Sequence, residues 1–228
     1  MQNKLYFLAC YLLFFTACKP YDIIITNGEV HDGTGNKAVF SDIGIKKDKI
    51  KTIGKLDVKA AKLKVDADGK IVSTGFINNL SWAAYSLEQD GRSMSDIKQG
   101  VTLEVFGEGS SPGPYNPNKT DSKRISFGDN MRYLEKKGIS TNVASFIGAT
   151  TLRKHQVGED DRPPTNKEML TMQQLVRQSM EEGALGIGSS LIYPPAFFAT
   201  TEELIKLCEA TSGYGGMYIS HLRSEGDK

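Results

Sequence analysis

Ile71-Val-Ser-Thr-Gly-Phe-Ile-Asn-Asn-Leu-Ser-Trp82 is the stretch on which the fold turns. Ile71 and Val72, then Gly75, then Phe76 and Ile77 read as a buried strand entered through a glycine turn. Before it the pattern is short strands and turns. Ile23 to Ile25 is a strand, Asn27-Gly28 a hairpin signal, and Asp32-Gly-Thr-Gly35 a turn. Ile43 and Ile45, then Ile50 and Ile53, alternate around a second hairpin at Lys47-Asp48, and Asp66 to Gly69 closes the group.

After it, strands and helices alternate. Residues 71–80, 101–107, 140–148, 184–190 and 216–222 read as strands, and 93–99, 128–137, 166–182 and 200–213 as helices. The helix over 166–182 has Thr165 as its N-cap, with Met169, Met172, Leu175, Val176 and Met180 on one face. Those methionines are core. Apolar strands alternating with helices predict an α/β fold with a parallel sheet.

Composition narrows the class. The 228 residues carry 28 Lys+Arg against 27 Asp+Glu, a net charge of +1. This balance offers no basic field for nucleic acid. Leu5 to Phe15 is an apolar run behind Lys4, too short to span a bilayer and long enough for the core of a signal peptide. Phe15-Thr-Ala-Cys18 follows it and resembles a bacterial lipobox. On this reading residues 1–18 are a signal peptide and Cys18 is lipidated. The protein is then exported and held at a membrane surface, periplasmic or on the cell surface, by its acyl chains. A plain secretory signal cleaved near Ala17, or an uncleaved anchor, is the alternative. Of the three cysteines only Cys208 lies beyond this segment, at helical spacing with Leu204 and Ile205, so it reads as a small buried apolar residue.

Three motifs carry a resemblance. Asp22-Ile-Ile-Ile-Thr-Asn-Gly-Glu-Val-His-Asp-Gly-Thr-Gly35 resembles the amino-terminal β-segment of amidohydrolases. Ala184-Leu-Gly-Ile-Gly-Ser-Ser-Leu-Ile-Tyr-Pro-Pro195 and Gly215-Gly-Met-Tyr-Ile-Ser-His-Leu-Arg-Ser-Glu-Gly-Asp227 are similar to the N-acyl-D-amino-acid deacylase (D-aminoacylase) family. The resemblance implies a metal-dependent (β/α)8 barrel, present here as its amino-terminal portion over 71–228, with a small flanking β-sandwich segment over 19–70. It also implies hydrolysis of a non-peptide carbon–nitrogen bond in a small N-acylated amino acid or related amide. A non-catalytic exported lipoprotein that keeps the barrel for ligand binding is the alternative, and a cyclic-amide-opening amidohydrolase is another.

The departures from the family pattern are specific. In relatives the first barrel strand ends in His-x-His, two metal ligands; here those places hold Leu80 and Trp82. Gly-His at the end of strand three becomes Gly148-Ala149, and the family's cysteine ligand aligns with Gly109. Active sites of such barrels sit at the carboxyl ends of strands. His221 ends strand five, where the family places a metal ligand; a core or substrate-facing histidine is the alternative. Glu108, in the loop after strand two, offers carboxylate oxygens that zinc accepts, and Glu104 is a second choice if it faces the barrel interior. These residues predict a single zinc ion, with the general base beyond residue 228. Tyr193 and Arg223 are the substrate-binding candidates, the guanidinium suited to a carboxylate and a structural ion pair with Glu225 or Asp227 its alternative. Ser189 and Ser190 end strand four without a histidine base beside them. His155 reads as a loop residue and His31 as a turn residue.

Overall fold

The computed structural model describes residues 19–226, so the signal segment and Cys18 lie outside the described residues. The chain divides into two compact units between Thr74 and Gly75. No helix among the described residues is long and apolar enough to cross a membrane.

The first unit is one five-stranded sheet built on a long strand, β1 (Tyr21–His31). β2 (Val39–Lys46) pairs antiparallel with it, and β3 (Lys49–Gly54) antiparallel with β2. β4 (Ala61–Asp66) runs parallel to the first half of β1 and β5 (Ile71–Ser73) parallel to its end. The Lys47-Asp48 hairpin is present, with Lys47 in the left-handed region at φ 55°. Asn27-Gly28 is not a hairpin. Both residues lie inside β1 at a register shift, Asn27 at φ 57°, where β1 changes partner from β4 to β5. Asparagine tolerates that conformation, and a Cβ on Gly28 would sit 2.5 Å from Val72 Cγ2. His31 ends β1 rather than a turn, 3.4 Å from the Glu29 carboxylate. The second layer of the expected sandwich is not among the described residues. Phe40, Ile53 and Leu63 are exposed on the sheet.

The expected strand over 71–80 is two strands in two units. Ile71–Ser73 pairs with β1, while β6 (Phe76–Asn78) begins the second unit. Apolar periodicity is the same on both sides of Gly75, so only pairing separates them. β6, β7 (Val101–Phe106) and β8 (Asn142–Ser145) form one parallel sheet; β9 (Ile147–Gly148), β10 (Gly186–Ser190) and β11 (Met217–His221) form another. Only Phe146 separates β8 from β9, and its N–H donates to the Phe106 carbonyl at 2.9 Å. Within each sheet the strands follow one another in chain order, each parallel to its neighbour.

Six helices connect them: α1 (Ala84–Gln89), α2 (Met94–Ile97), α3 (Phe127–Lys137), α4 (Ala149–Gln156), α5 (Asn166–Glu181) and α6 (Thr201–Glu209). Thr165 caps α5 in a reciprocal box: its hydroxyl accepts from Glu168 N–H, and the Glu168 carboxylate accepts from Thr165 N–H. Met169, Met172 and Val176 then pack with Phe127, Ile147, Leu152, Ile187 and Leu207 into the main core. Leu87, Phe106 and Leu134 make a second cluster. Cys208 packs against the main core, and burial pushes its thiol up, away from the reactive thiolate.

α4 follows the third strand where the sequence reads as loop. Thr150 and Thr151 are weak helix formers and no side chain caps the helix, so local signals are poor. Burial makes this helix: Ala149 through Arg153 are all buried. The Arg153 guanidinium meets the Glu203 carboxylate of α6 at 2.6 Å, both side chains essentially inaccessible, and also donates to the carbonyls of Asp160 and Arg162. Burial pushes the Glu203 carboxyl up, and the Arg153 charge opposes that shift.

Candidate active site

A cavity of about 470 Å³ opens in the second unit. Its walls are laid down strand by strand. Leu80 and Trp82 follow β6, Glu108 and Ser110 follow β7, and Thr150 and Lys154 come from α4, directly after β9. Ser190 ends β10, Tyr193 and Pro194 follow it, and His221 ends β11. Every wall lies at or just past the carboxyl end of a parallel strand, where barrel active sites form.

Three of the four metal and substrate candidates, Glu108, Tyr193 and His221, therefore meet in one cavity. His221 pairs in register with Ser190. Its ring lies edge-on to the Tyr193 ring, with centroids 5.9 Å apart, and its Nε2 is 3.3 Å from the Glu225 carboxylate. The Ser190 hydroxyl donates to the Glu108 carbonyl and lies 3.4 Å from the Glu108 carboxylate, so it turns toward Glu108. Ser189 points away, bonded to the hydroxyls of Tyr218 and Ser220.

Arg223 does not line the cavity. Its guanidinium donates to the carbonyls of Phe197 and Ala199, which tie down the loop after β10. Those two bonds hold the guanidinium against backbone, outside the residues that line the cavity. Glu225 pairs with His221 instead, and Asp227 lies outside the described residues. Glu104 does not face the interior. It shares its side of β7 with Phe106, which packs on the helices, and its carboxylate accepts from Ser81 at 2.6 Å, Ser93 at 2.7 Å and Thr141 at 2.8 Å. His155 lies on α4, half-buried, and lines a neighbouring cavity of about 450 Å³ that shares Ser110 and Lys154 with the first. Burial pushes its imidazole down, as does the Lys119 charge. Lys154 escaped the sequence reading because nothing local marks it; only the helical turn after β9 brings it to the cavity.

The donor set limits what metal the cavity can hold. No group of three or more His, Cys, Asp or Glu side chains suited to a metal exists among the described residues. Glu108 and His221 are two donors, and a catalytic zinc takes about three from protein. Leu80 and Trp82 offer none. Nor is there space for a side chain at residue 109: a Cβ on Gly109 would lie 2.9 Å from Ser190 Cβ and 3.3 Å from the Trp82 indole. Trp82 and Gly109 are thus complementary, the indole reaching the space that a ligand at 109 would use. Among the described residues, then, Glu108 and His221 are the two donors that line the cavity, short of the three that a catalytic zinc takes from protein.

No protein-family model matches the chain. Individual relatives do. The D-aminoacylase of Alcaligenes xylosoxydans xylosoxydans is 34% identical over 221 residues, covering 92% of this chain and 46% of that protein. A crystal structure of D-aminoacylase, described as defining a subset of amidohydrolases, superposes with a TM-score of 0.81 at 31% identity, covering 91% of this chain and 46% of that one. The N-acyl-D-glutamate deacylase of Bordetella bronchiseptica, solved with zinc and a phosphonate that mimics the tetrahedral intermediate, gives 0.81 at 28% identity with the same coverage. The chain spans about half the length of these relatives. Its parallel strand–helix units and the site at their carboxyl ends are those of an amidohydrolase. Within that superfamily the chain is similar to the D-aminoacylases over about nine-tenths of its own length.

Proposed function

We propose that this chain forms part of a (β/α)8 hydrolase that cleaves the linear amide of N-acyl-D-amino acids. The observation that carries the reading is the convergence of Glu108, Tyr193 and His221 on one cavity at the strand ends. Relatives matching about nine-tenths of the chain are named D-aminoacylase and N-acyl-D-glutamate deacylase, which favours this reaction over ring opening.

His221 and Glu108 are the donors this chain offers to a single zinc, the third coming from outside the described residues. Such an ion polarises an amide carbonyl and lowers the pKa of bound water. Ser190 steadies the loop that presents Glu108. The Tyr193 ring packs edge-on against His221, limiting imidazole rotation while its phenol faces the cavity to orient the amino-acid part. Arg223 contributes by fixing the Phe197 and Ala199 backbone beneath that loop. A D-aminoacylase described with a binuclear centre is said to be activated by one metal and attenuated by the second, which supports a one-ion reading.

The test uses the product of the complete gene. N-acetyl-D- and N-acetyl-L-amino acids and a cyclic amide are each supplied, and free amino acid is counted. Release from the D-acids alone is expected. Hydrolysis of only the cyclic amide, or of none of them, overturns the proposal. The second outcome would favour a ligand-binding protein, the reading to which apolar Leu80 and Trp82 lend support. We also propose that Cys18 is acylated, supported by the Leu5–Phe15 run and the Phe15-Thr-Ala-Cys18 motif. Labelled palmitate should enter the wild type and not Cys18→Ser.

A further inference from the structure

Two groups in the cavity have no part in the chemistry above. One is the apolar wall of Leu80 and Trp82, which follow β6 and line the cavity. Apolar and aromatic side chains lining a concave site supply ligand contact. The other is Lys154. Its ammonium lies 3.1 Å from the Glu159 carboxylate, with both side chains more than half exposed. Such a pair contributes little and exchanges readily for a better anion. Lys154 is the lysine of this cavity, and it comes from α4, whereas Leu80 and Trp82 come from the far end of the strand series at β6.

We infer that the cavity selects N-acyl amino acids with a long apolar acyl chain, the chain lying against Leu80 and Trp82 and Lys154 binding the substrate carboxylate. This rests on the deacylase reading and deepens it. Three observations lead to it. The cavity, at about 470 Å³, suits a ligand of that size. Where relatives are expected to place two metal-binding imidazoles, this chain presents an indole and an isobutyl group, a surface that gains from burying methylenes and nothing from a polar acyl end. The remaining charged groups are arranged by sign. Glu108, which would repel a carboxylate, follows β7, whereas the lysine among the lining residues, Lys154, comes from α4. Lys154 is accordingly a specificity residue, not a catalytic one.

Trp82 is the one tryptophan of these 228 residues, so its fluorescence reports on the acyl wall directly. The intact protein would be titrated with N-octanoyl-D-alanine, N-acetyl-D-alanine and N-octanoyl-D-alaninamide, with Trp82→Phe assigning the signal. The octanoyl acid should shift Trp82 emission and bind at least about tenfold more tightly than the acetyl acid. Lys154→Gln should weaken the octanoyl acid about tenfold and leave the neutral amide within about twofold. Equal affinity for acetyl and octanoyl acids overturns the acyl wall. Equal weakening of acid and amide by Lys154→Gln overturns the carboxylate contact. Hydrolysis read in parallel keeps the two proposals apart. Tight binding of the octanoyl acid without cleavage sinks the deacylase reading alone; cleavage with indifference to chain length sinks this inference alone.

Discussion

Glu104 and Glu108 stand four residues apart on one strand and its loop, and the fold treats them oppositely. Glu104 is fully buried and its carboxylate is engaged by Ser81, Ser93 and Thr141. Glu108 opens on the cavity with a single long contact from Ser190 to its carboxylate. Arg153 and His221 repeat the contrast. Arg153 is sealed against Glu203 and two carbonyls; His221 keeps an exposed partner, Glu225, and a ring face toward Tyr193. Charge that the protein has paired in its interior holds elements together, even though Arg153 Nε and Glu203 Oε1 are left without a hydrogen-bond partner. Charge left loosely partnered at the strand ends is available to a metal or substrate. Buried polar groups must be satisfied because leaving one unpaired is costly, so the two sets should respond differently to removal.

Arg153→Leu should show the largest effect. It leaves Glu203 as an unpaired carboxylate between α4 and α6, and breaking a buried pair costs about 3–5 kcal/mol. Urea unfolding checks this, and a loss under about 1 kcal/mol would move the pair out of the structural set. His221→Ala should lower kcat/KM on the order of a hundredfold or more, with stability changed by no more than about 0.5 kcal/mol. Activity close to wild type would return His221 to the structural set. The glutamates sharpen the comparison further. Glu104→Gln places an NH2 group among three hydroxyl donors and should cost about 1–3 kcal/mol. Glu108→Gln should leave stability alone and lower activity and metal binding.

The smallest effect concerns α5. Hydrogen bonds from the Arg162 guanidinium and the Thr165 N–H hold the Glu168 carboxyl down at about 2, against an ordinary 4.5. A depressed carboxyl stabilises the folded state above its unfolded value, and that contribution is lost as pH falls through the folded one. Glu168→Gln should therefore cost about 1 kcal/mol at neutral pH, the usual worth of a cap. The difference from wild type should shrink between pH 4.5 and about 2. Unfolding midpoints across that range decide it; a pH-independent difference would mean that the charge is not what holds the cap.

The sequence reading went furthest where local pattern and tertiary need agree. α5 was legible from its N-cap and its apolar face, which are local signals, while the capping role of Glu168 came only with the structure. The parallel strands were legible as apolar runs, and His221 and Tyr193 through the motifs around them. The failures share one cause: each depends on a partner distant in sequence. Ile71–Ser73 joins the first sheet because β1 runs past β4, and no residue within 71–73 says so. Asn27-Gly28 has the chemistry of a hairpin and serves as the bulge where β1 changes partners. α4 exists because Arg153 finds Glu203 fifty residues on. That same helix carries Lys154 to the cavity and moves His155 to its neighbour.

The central proposal is that this cavity presents an apolar wall, Leu80 and Trp82, after its first barrel strand and offers Glu108 and His221 to one ion. The most direct test is to count metal in the active, complete gene product, by elemental analysis beside the D-amino-acid assay. The account predicts about one zinc per chain, with both zinc and activity lost in His221→Ala. Two ions per chain, or full activity without metal, would contradict it.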